Sequence, residues 1–459
     1  MSKLAGREIE TSAKIESLIQ DLVRETSNYE KSITTIRGPA PELADHAKQV
    51  FDETGKYRGR PLFYPFVGTG AGQGPYVEVE DGSVKLDLIN GIGIHIFGHG
   101  HPELRAATIR GALSDVVMQG NLEPNLEYTR LGKKLAELAG KNSKLKYVWL
   151  ATCGTMANEN ALKMARQKNS PAKLIIGMKN AFAGRSTMMA EVTDNPAYKV
   201  GLPEYNEVLR IPFYDKDDPR SSEKSLSLFK EHVANNEGKI ACFSFEPMLG
   251  EGGYRNAPRE FFVPILEFCK QKKIAVWADE VQTFMRTGEL FAFETLELGQ
   301  YMDIVTVAKT LQAGATLYTE DYNPQPGLVA GTFSGSTASL AAGIKSLDLI
   351  TEGGYLGKNG KIQKIHNEFV GMLNRLNETT CKGLLREAGG MGLMIAVTPL
   401  DGGKDTVNKL LQKLYVNGLI CFSCGKDPFR LRFLVPAVMA SKDIELAGKI
   451  IEKSILEMV

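Results

Sequence analysis

Ile274-Ala-Val-Trp-Ala-Asp279-Glu280-Val281-Gln282 and, after a loop and a helical segment, Asp303-Ile-Val-Thr-Val-Ala-Lys309 are the two runs that decide the fold. Each is apolar and stops at one polar residue. Residues 274–278 and 304–308 suit strands buried on both faces, as in a parallel sheet under helices. Parallel strands end on the same edge of their sheet, and open α/β sheets hold ligands at the carboxyl edge. Asp279 and Lys309 are therefore expected on one rim of one crevice.

Outward from this pair the same alternation continues. Residues 145–151, 173–178, 208–212 and 240–245 read as further strands, most of them separated by helical segments. That pattern predicts an α/β fold with a mostly parallel sheet covered by helices. After Ser334 the chain reads as helical over 338–351 and 361–376. Residues 384–459 read as α+β, with strands near 394–397, 419–422 and 429–433 and a last helix from Ser441. At the other end, residues 1–60 are charged and helix-prone, as in 13–23, and suit packing on another element better than a separate domain. Gly68, Gly70, Gly72 and Gly74 fail dinucleotide-loop spacing, since Gln73 and Pro75 stand where a third glycine belongs. They read as a flexible approach to a hairpin formed by 76–80 and 84–88 around Asp81-Gly82.

Composition narrows the class. With 459 residues, 43% hydrophobic and 24% charged, the chain has the make-up of a globular protein of two to three domains. Fifty-five Lys+Arg against 54 Asp+Glu leave a net charge of +1, so no basic excess points to nucleic acid or an anionic membrane. No apolar run approaches the roughly 20 residues of a membrane helix, and the first ten residues lack the apolar core of a secretory signal. The six cysteines mostly lie in apolar runs, as buried free thiols do. Cys421 and Cys424 have CxxC spacing but no second pair to close a zinc site. A reducing cytoplasm is the expected compartment.

Four further stretches carry candidate chemistry. Cys153-Gly154-Thr155-Met156-Ala157-Asn158-Glu159 follows a strand and opens a helix, whose free amides can bind a phosphate; an ordinary N-cap at Thr155 is the alternative. Phe182-Ala183-Gly184-Arg185 stands at another strand exit. There a ring can stack on a flat cofactor and a guanidinium can take a carboxylate; plain core packing and a surface ion pair compete with these roles. Glu246-Pro-Met-Leu-Gly250-Glu251-Gly-Gly253 places a second acid in a glycine-rich loop, either a switchable partner for an arginine or a solvated loop acid. His95, His99 and His101 invite a metal reading, but Gly98, Gly100 and Pro102 argue for a turn, and no acid beside them in sequence supplies an outer shell. A lone acid and a lone amine on one rim suit pyridoxal 5′-phosphate: the amine forms a Schiff base with its aldehyde and the acid pairs with its ring nitrogen.

Taken in order, these motifs resemble those of the class III (ω-amino-acid) aminotransferases, of the pyridoxal-phosphate fold type I, over roughly residues 60–440. The stretch 91–102 looks like the family's entry motif, 153–159 its phosphate cradle and 182–185 its aromatic-His-Gly-Arg. The stretch 246–253 is similar to Glu-Pro-x-x-Gly-Glu-Gly-Gly, and 278–288 and 303–309 to Asp-Glu-Val-Gln-Thr…Arg-Thr-Gly and its lysine. Thr332-Phe-Ser-Gly335 and Arg432-Phe-Leu-Val-Pro436 resemble the last two motifs. The wording around Asn158 and Lys309 is nearest the 4-aminobutyrate and lysine ε-aminotransferase branch.

The resemblance implies a large cofactor-binding domain over 96–344 and a smaller α+β domain built from 1–95 and 345–459. It implies catalytic roles for Lys309 and Asp279. Gly154 and Thr155 would hold the cofactor phosphate, joined by Thr332 from the neighbouring subunit of a homodimer. Phe182 and Val281 would sandwich the ring, and Gln282 would reach its hydroxyl. Arg185 and Arg432 would take substrate carboxylates, with Glu251 neutralising Arg432 when the donor has none there. The implied reaction is ping-pong transfer of an ω-amino group to a 2-oxo acid, 2-oxoglutarate first. Four departures bear on pocket shape and specificity. Met156 stands for an acid and Ala183 for a histidine, Thr283-Phe-Met-Arg286 is one residue short, and Ser336-Thr337 stands for Asn-Pro. Competing readings are another reaction of this fold (aminomutase, racemase or decarboxylase), a metal enzyme using His95, His99 and His101, and a scaffold that has lost its cofactor. Intact Lys309, Asp279, Thr332 and both arginines count against the last.

Overall fold

The computed structural model describes residues 4–115, 122–334 and 336–459. Gly335, the last residue of the Thr332 motif, lies outside them. The chain divides into two compact units. One comprises Met1–Ser114, Lys361–Gly389 and Leu393–Val459, and the other Asp115–Gly360 with Gly390–Gly392. The sequence-based bounds stood at residues 95/96 and 344/345.

The second unit is built on a seven-stranded sheet. In spatial order its strands are Tyr147–Ala151, Gly314–Tyr318, Ile304–Val307, Ala275–Asp279, Ile240–Phe245, Leu174–Met178 and Val208–Ile211. The Ala275–Asp279 strand runs parallel to both its neighbours, with Asp279 opposite Thr306 and Trp277 opposite Ser244. Gly314–Tyr318 was not expected. It runs antiparallel between the strands at 304–307 and 147–151, so the sheet is mixed at that end. All five of its residues are buried, and a short run with no exposed face shows no polar–apolar alternation.

Helices cover the sheet because their apolar residues recur on one face. Gly154–Lys168 buries Ala161, Leu162, Met164 and Ala165 in a cluster with Ile175, Trp277 and Ile304. At roughly 1.5–3 kcal/mol for each large side chain removed from water, this layer holds the helix start where the strands end. Trp277, fully buried, also satisfies its ring N–H on the Thr306 hydroxyl at 3.2 Å, tying the two central strands together through side chains.

The first unit holds two four-stranded sheets. The predicted hairpin is present, Tyr76–Val79 against Val84–Asp87, but the glycine run before it is itself a strand, Gly68–Gln73, paired to Tyr76–Val79. Crowding explains the glycines: a Cβ on Gly72 would stand 2.6 Å from His99 Cβ and 2.7 Å from the Tyr76 carbonyl oxygen. The amino-terminal helix Ala13–Glu30 packs against Pro102–Ala112, where Arg105 forms a double hydrogen bond to Glu30 at 2.7 and 2.8 Å. Residues 419–424 divide between the two sheets, Leu419–Ile420 joining the hairpin sheet and Phe422–Cys424 the other. Leu385–Met391 adds an unexpected strand beside Met394–Pro399.

Candidate active site

Asp279 ends its strand and Lys309 begins a short turn two residues past the end of the neighbouring parallel strand. Both lie at the carboxyl edge of one sheet, close enough for the Lys309 ammonium to stabilise the Asp279 carboxylate. Lys309 has φ +53°, a left-handed conformation that is strained for a residue with a Cβ. Such strain persists only where surrounding structure enforces it.

Asp279 is 6% exposed. One carboxylate oxygen accepts the Val281 N–H at 2.9 Å and the other accepts the Asn158 amide at 2.6 Å. Burial pushes its pKa up to about 6, against the pull of those two donors and of Lys309. At neutral pH it is a buried carboxylate, fixed in orientation, that any cation placed opposite would stabilise further. Asn158 is itself held, donating also to the Ala183 carbonyl at 2.7 Å. Its place in the 153–159 motif carries no signal for this bond to Asp279.

The helix carrying Asn158 starts at Gly154 with Cys153, not Thr155, as its N-cap, and Cys153 makes no side-chain cap. A Cβ on Gly154 would come within 2.5 Å of Val281 Cγ1. Gly184, at φ +138°, is equally tight against Thr155, where a Cβ would meet the hydroxyl at 2.6 Å. Gly154, Val281, Thr155 and Gly184 thus form one packed patch beside Asp279. Gln282 is buried, and its side-chain oxygen receives no hydrogen bond; a Cβ on Gly250 would lie 3.0 Å from that oxygen.

Phe182 is half-buried, edge-on to Tyr198 with ring centroids 6.1 Å apart. Arg185 is exposed and lies over the same ring at 4.1 Å, a cation–π contact and not a surface ion pair. The 179–185 loop is braced by Thr193, whose hydroxyl accepts the Ala183 and Gly184 N–H groups, and by Asp194, which accepts that of Asn180. Neither Thr193 nor Tyr198 carried a sequence signal. Glu246, 7% exposed, accepts the Phe182 N–H at 2.9 Å and the Gly250 N–H at 3.0 Å. Burial, then the nearby Asp279 charge, push its pKa up to about 8. Asp279 therefore ionises at lower pH than Glu246. Glu251 is half-buried and Thr332 exposed. Arg432 lies in the other unit, buried in the strand Arg430–Leu434 opposite Ala396.

Among the described residues no group of three or more His, Cys, Asp or Glu could hold an ion. His99 is instead bonded to Asp87 at 3.0 Å, an acid twelve residues earlier that the sequence reading had not connected with it. The His95 ring lies tilted against that of His99, centroids 4.7 Å apart, and burial followed by the His99 charge depress its pKa to about 4. All six cysteines are free thiols, Cys421 and Cys424 included. Among the described residues no helix is long and apolar enough to cross a membrane.

The donors fit pyridoxal phosphate: an uncapped helix start packed on its glycine, a buried fixed carboxylate, a buried amide oxygen in want of a donor, and an amine on the same rim. Fold and site together define a pyridoxal-phosphate transferase of fold type I. Within that class the chain belongs to the class-III aminotransferases, whose family model matches residues 63–455. It is 31% identical over 387 residues to acetylornithine aminotransferase of Methanocaldococcus jannaschii, covering 82% of this chain and 89% of that one. It is 29% identical over 402 residues to a probable 4-aminobutyrate aminotransferase of Bacillus subtilis, covering 83% and 91%. Among solved structures, lysine aminotransferase from M. tuberculosis in the internal aldimine form shares the fold with a TM-score of 0.78 at 20% identity, over 89% of this chain and all of that one. An aminotransferase from Bacillus anthracis does so with a TM-score of 0.80 at 19% identity.

Proposed function

We propose that this aminotransferase moves the amino group of an ω-amino acid, such as acetylornithine, 4-aminobutyrate, lysine or ornithine, to a 2-oxo acid, 2-oxoglutarate first. The observation that carries the reading is the placement of Asp279 and Lys309 at the ends of adjacent parallel strands. The names of the relatives support the donor class.

When bound, pyridoxal phosphate supplies an aldehyde that takes up amino groups and a ring that accepts electrons from the adjoining carbon. The N–H groups of Gly154 and Thr155, with the Thr155 hydroxyl, hold its phosphate. Val281 and Phe182 hold the ring plane, and the Gln282 amide reaches the ring hydroxyl. Asp279, ionised at neutral pH, keeps a proton on the ring nitrogen. Lys309 Nζ removes the proton from the amino-bearing carbon of the donor and later returns one, as base and then acid. Arg185, oriented by Tyr198, takes a substrate carboxylate. Arg432 is proposed as a second carboxylate partner with Glu251 as its switchable counter-charge. Thr332, exposed beside the 64%-exposed Phe333, is proposed to complete the phosphate site of a second copy, which makes the active unit a homodimer. Six unpaired thiols support a reducing, cytoplasmic setting.

The test is a screen of donors with and without 2-oxoglutarate. Product formation that needs the second oxo acid supports transamination, and turnover without it refutes it. Lys309→Ala is expected to lose activity together with the borohydride-sensitive yellow colour of the wild type.

A further inference from the structure

The loop that carries Phe182 and the hairpin that carries Glu251 meet at two places. The hairpin is formed by Met248–Leu249 and Arg255–Asn256, with Gly250 to Tyr254 at its tip. Gly252 at the tip lies so close to the Phe182 loop that a Cβ there would stand 2.5 Å from the Asn180 carbonyl oxygen. The second meeting is through Glu246. One of its carboxyl oxygens accepts the N–H of Phe182 itself and the other that of Gly250, the residue before Glu251. A single buried side chain therefore joins two segments distant in sequence, each bearing a proposed active-site group. Because both bonds end on one rigid, planar group, a shift of either segment must break a bond or carry the other segment along.

We infer that Glu246 is a positioning residue that couples the ring-holding loop at Phe182 to the substrate-end hairpin at Glu251, so that cofactor seating and the setting of the Glu251 acid are linked. The inference rests on the functional reading above, in which Phe182 covers the cofactor ring and Glu251 faces the substrate. Its consequence is that the hairpin tightens when the cofactor seats, although the hairpin itself supplies no proposed cofactor contact.

The test is amide hydrogen exchange on the full-length protein with and without pyridoxal phosphate, in the wild type, Glu246→Ala and Glu246→Gln. In the wild type the cofactor is expected to slow exchange in both 179–185 and 247–254. In Glu246→Ala it should still slow 179–185 but slow 247–254 several-fold less than in the wild type, because only the Gly252–Asn180 contact remains. Slowing of both segments in that variant, as in the wild type, overturns the coupling. Should Glu246→Ala fail to fold, Glu246→Gln, which keeps one acceptor of two, carries the same readout. Kinetics give a second measure. Glu246→Gln should raise KM for the 2-oxo acid about five- to tenfold, the effect of about one hydrogen bond, with kcat within about twofold. A fall in kcat at unchanged KM overturns the inference. A wild type in which the cofactor protects neither segment removes the functional reading and this inference with it, whereas wild-type protection of both segments in the variant removes this inference alone.

Discussion

Replacing Asp279 by asparagine should separate stability from function, and the size of the effect follows from the burial of the carboxylate. A carboxyl whose pKa rises from the ordinary 3.8 to about 6 on folding is about 3 kcal/mol less favourable as an anion in the fold than in the unfolded chain. The sign follows from proton binding. Between those two values the native state holds the proton more tightly, so this group lowers stability progressively as pH rises from about 4 to about 6, and the full penalty applies above that. About half of it, on the order of 1.5 kcal/mol, falls between pH 5 and pH 8. Asparagine carries no charge to bury. It does set an amide N–H₂ against the Asn158 donor, at about 1–2 kcal/mol for the bond lost. Cofactor-free Asp279→Asn should therefore gain stability relative to wild type as pH rises, by about 1.5 kcal/mol from pH 5 to pH 8, while holoenzyme activity falls at least about a hundredfold. Urea denaturation of both cofactor-free proteins at the two pH values checks this. Taking the difference between them cancels Glu280 and Asp303, whereas Glu246, relieved of the Asp279 charge, ionises more easily in the variant and adds to its gain towards pH 8. An equal stability difference at pH 5 and pH 8 would refute the assignment of Asp279 as a buried charge awaiting a cation.

Gly154→Ala drives a methyl group into Val281 and should weaken pyridoxal phosphate binding at least about tenfold in a fluorescence titration, with a stability loss of about 1–3 kcal/mol. Glu280, next to Asp279, caps the Ala292–Thr295 helix by accepting the N–H groups of Ala292 at 2.6 Å and Phe293 at 2.8 Å. Glu280→Gln should lose about 1–2 kcal/mol in thermal unfolding at pH 6 with kcat unchanged. That deficit should shrink towards pH 8, because burial raises the Glu280 pKa to about 8 and the wild type loses stability as it approaches ionisation. Cys153→Ser places a good capping hydroxyl at an extended N-cap and should stabilise the cofactor-free protein by about 0.5–1 kcal/mol, read as a higher melting temperature.

Both ends of the central pair were legible because strands buried on two faces leave an unbroken apolar run, and the residue that breaks it marks the edge. Asp279 and Lys309 stand out for that reason. The Gly314–Tyr318 strand had no such contrast, and every second residue of Gly68–Gln73 is glycine, with no large apolar side chain to read; close contact with His99 and Tyr76, a tertiary fact, calls for its glycine at 72. Residues proposed to face the cofactor beside Asp279 and Lys309 carried local signals, since they follow a strand or open a helix. Their supports did not. Asn158 on Asp279, Thr193 under the Phe182 loop, Tyr198 beneath Arg185 and Asp87 on His99 are pairings across the fold, and no spacing along the chain encodes them.

The antiparallel strand after Lys309 limits how this protein can vary. The chain reverses within six residues of the amine and returns as a neighbour of the strand it has just left. A one-residue insertion or deletion in the strand before the amine would slip two ladders at once and exchange the side chains packed on its two buried faces. An insertion or deletion there is thus closed to drift in a way that one in the hairpin around Glu251 is not. Changes of donor preference among descendants of this sequence should accumulate in the segments 182–198 and 246–256, around a stationary nitrogen.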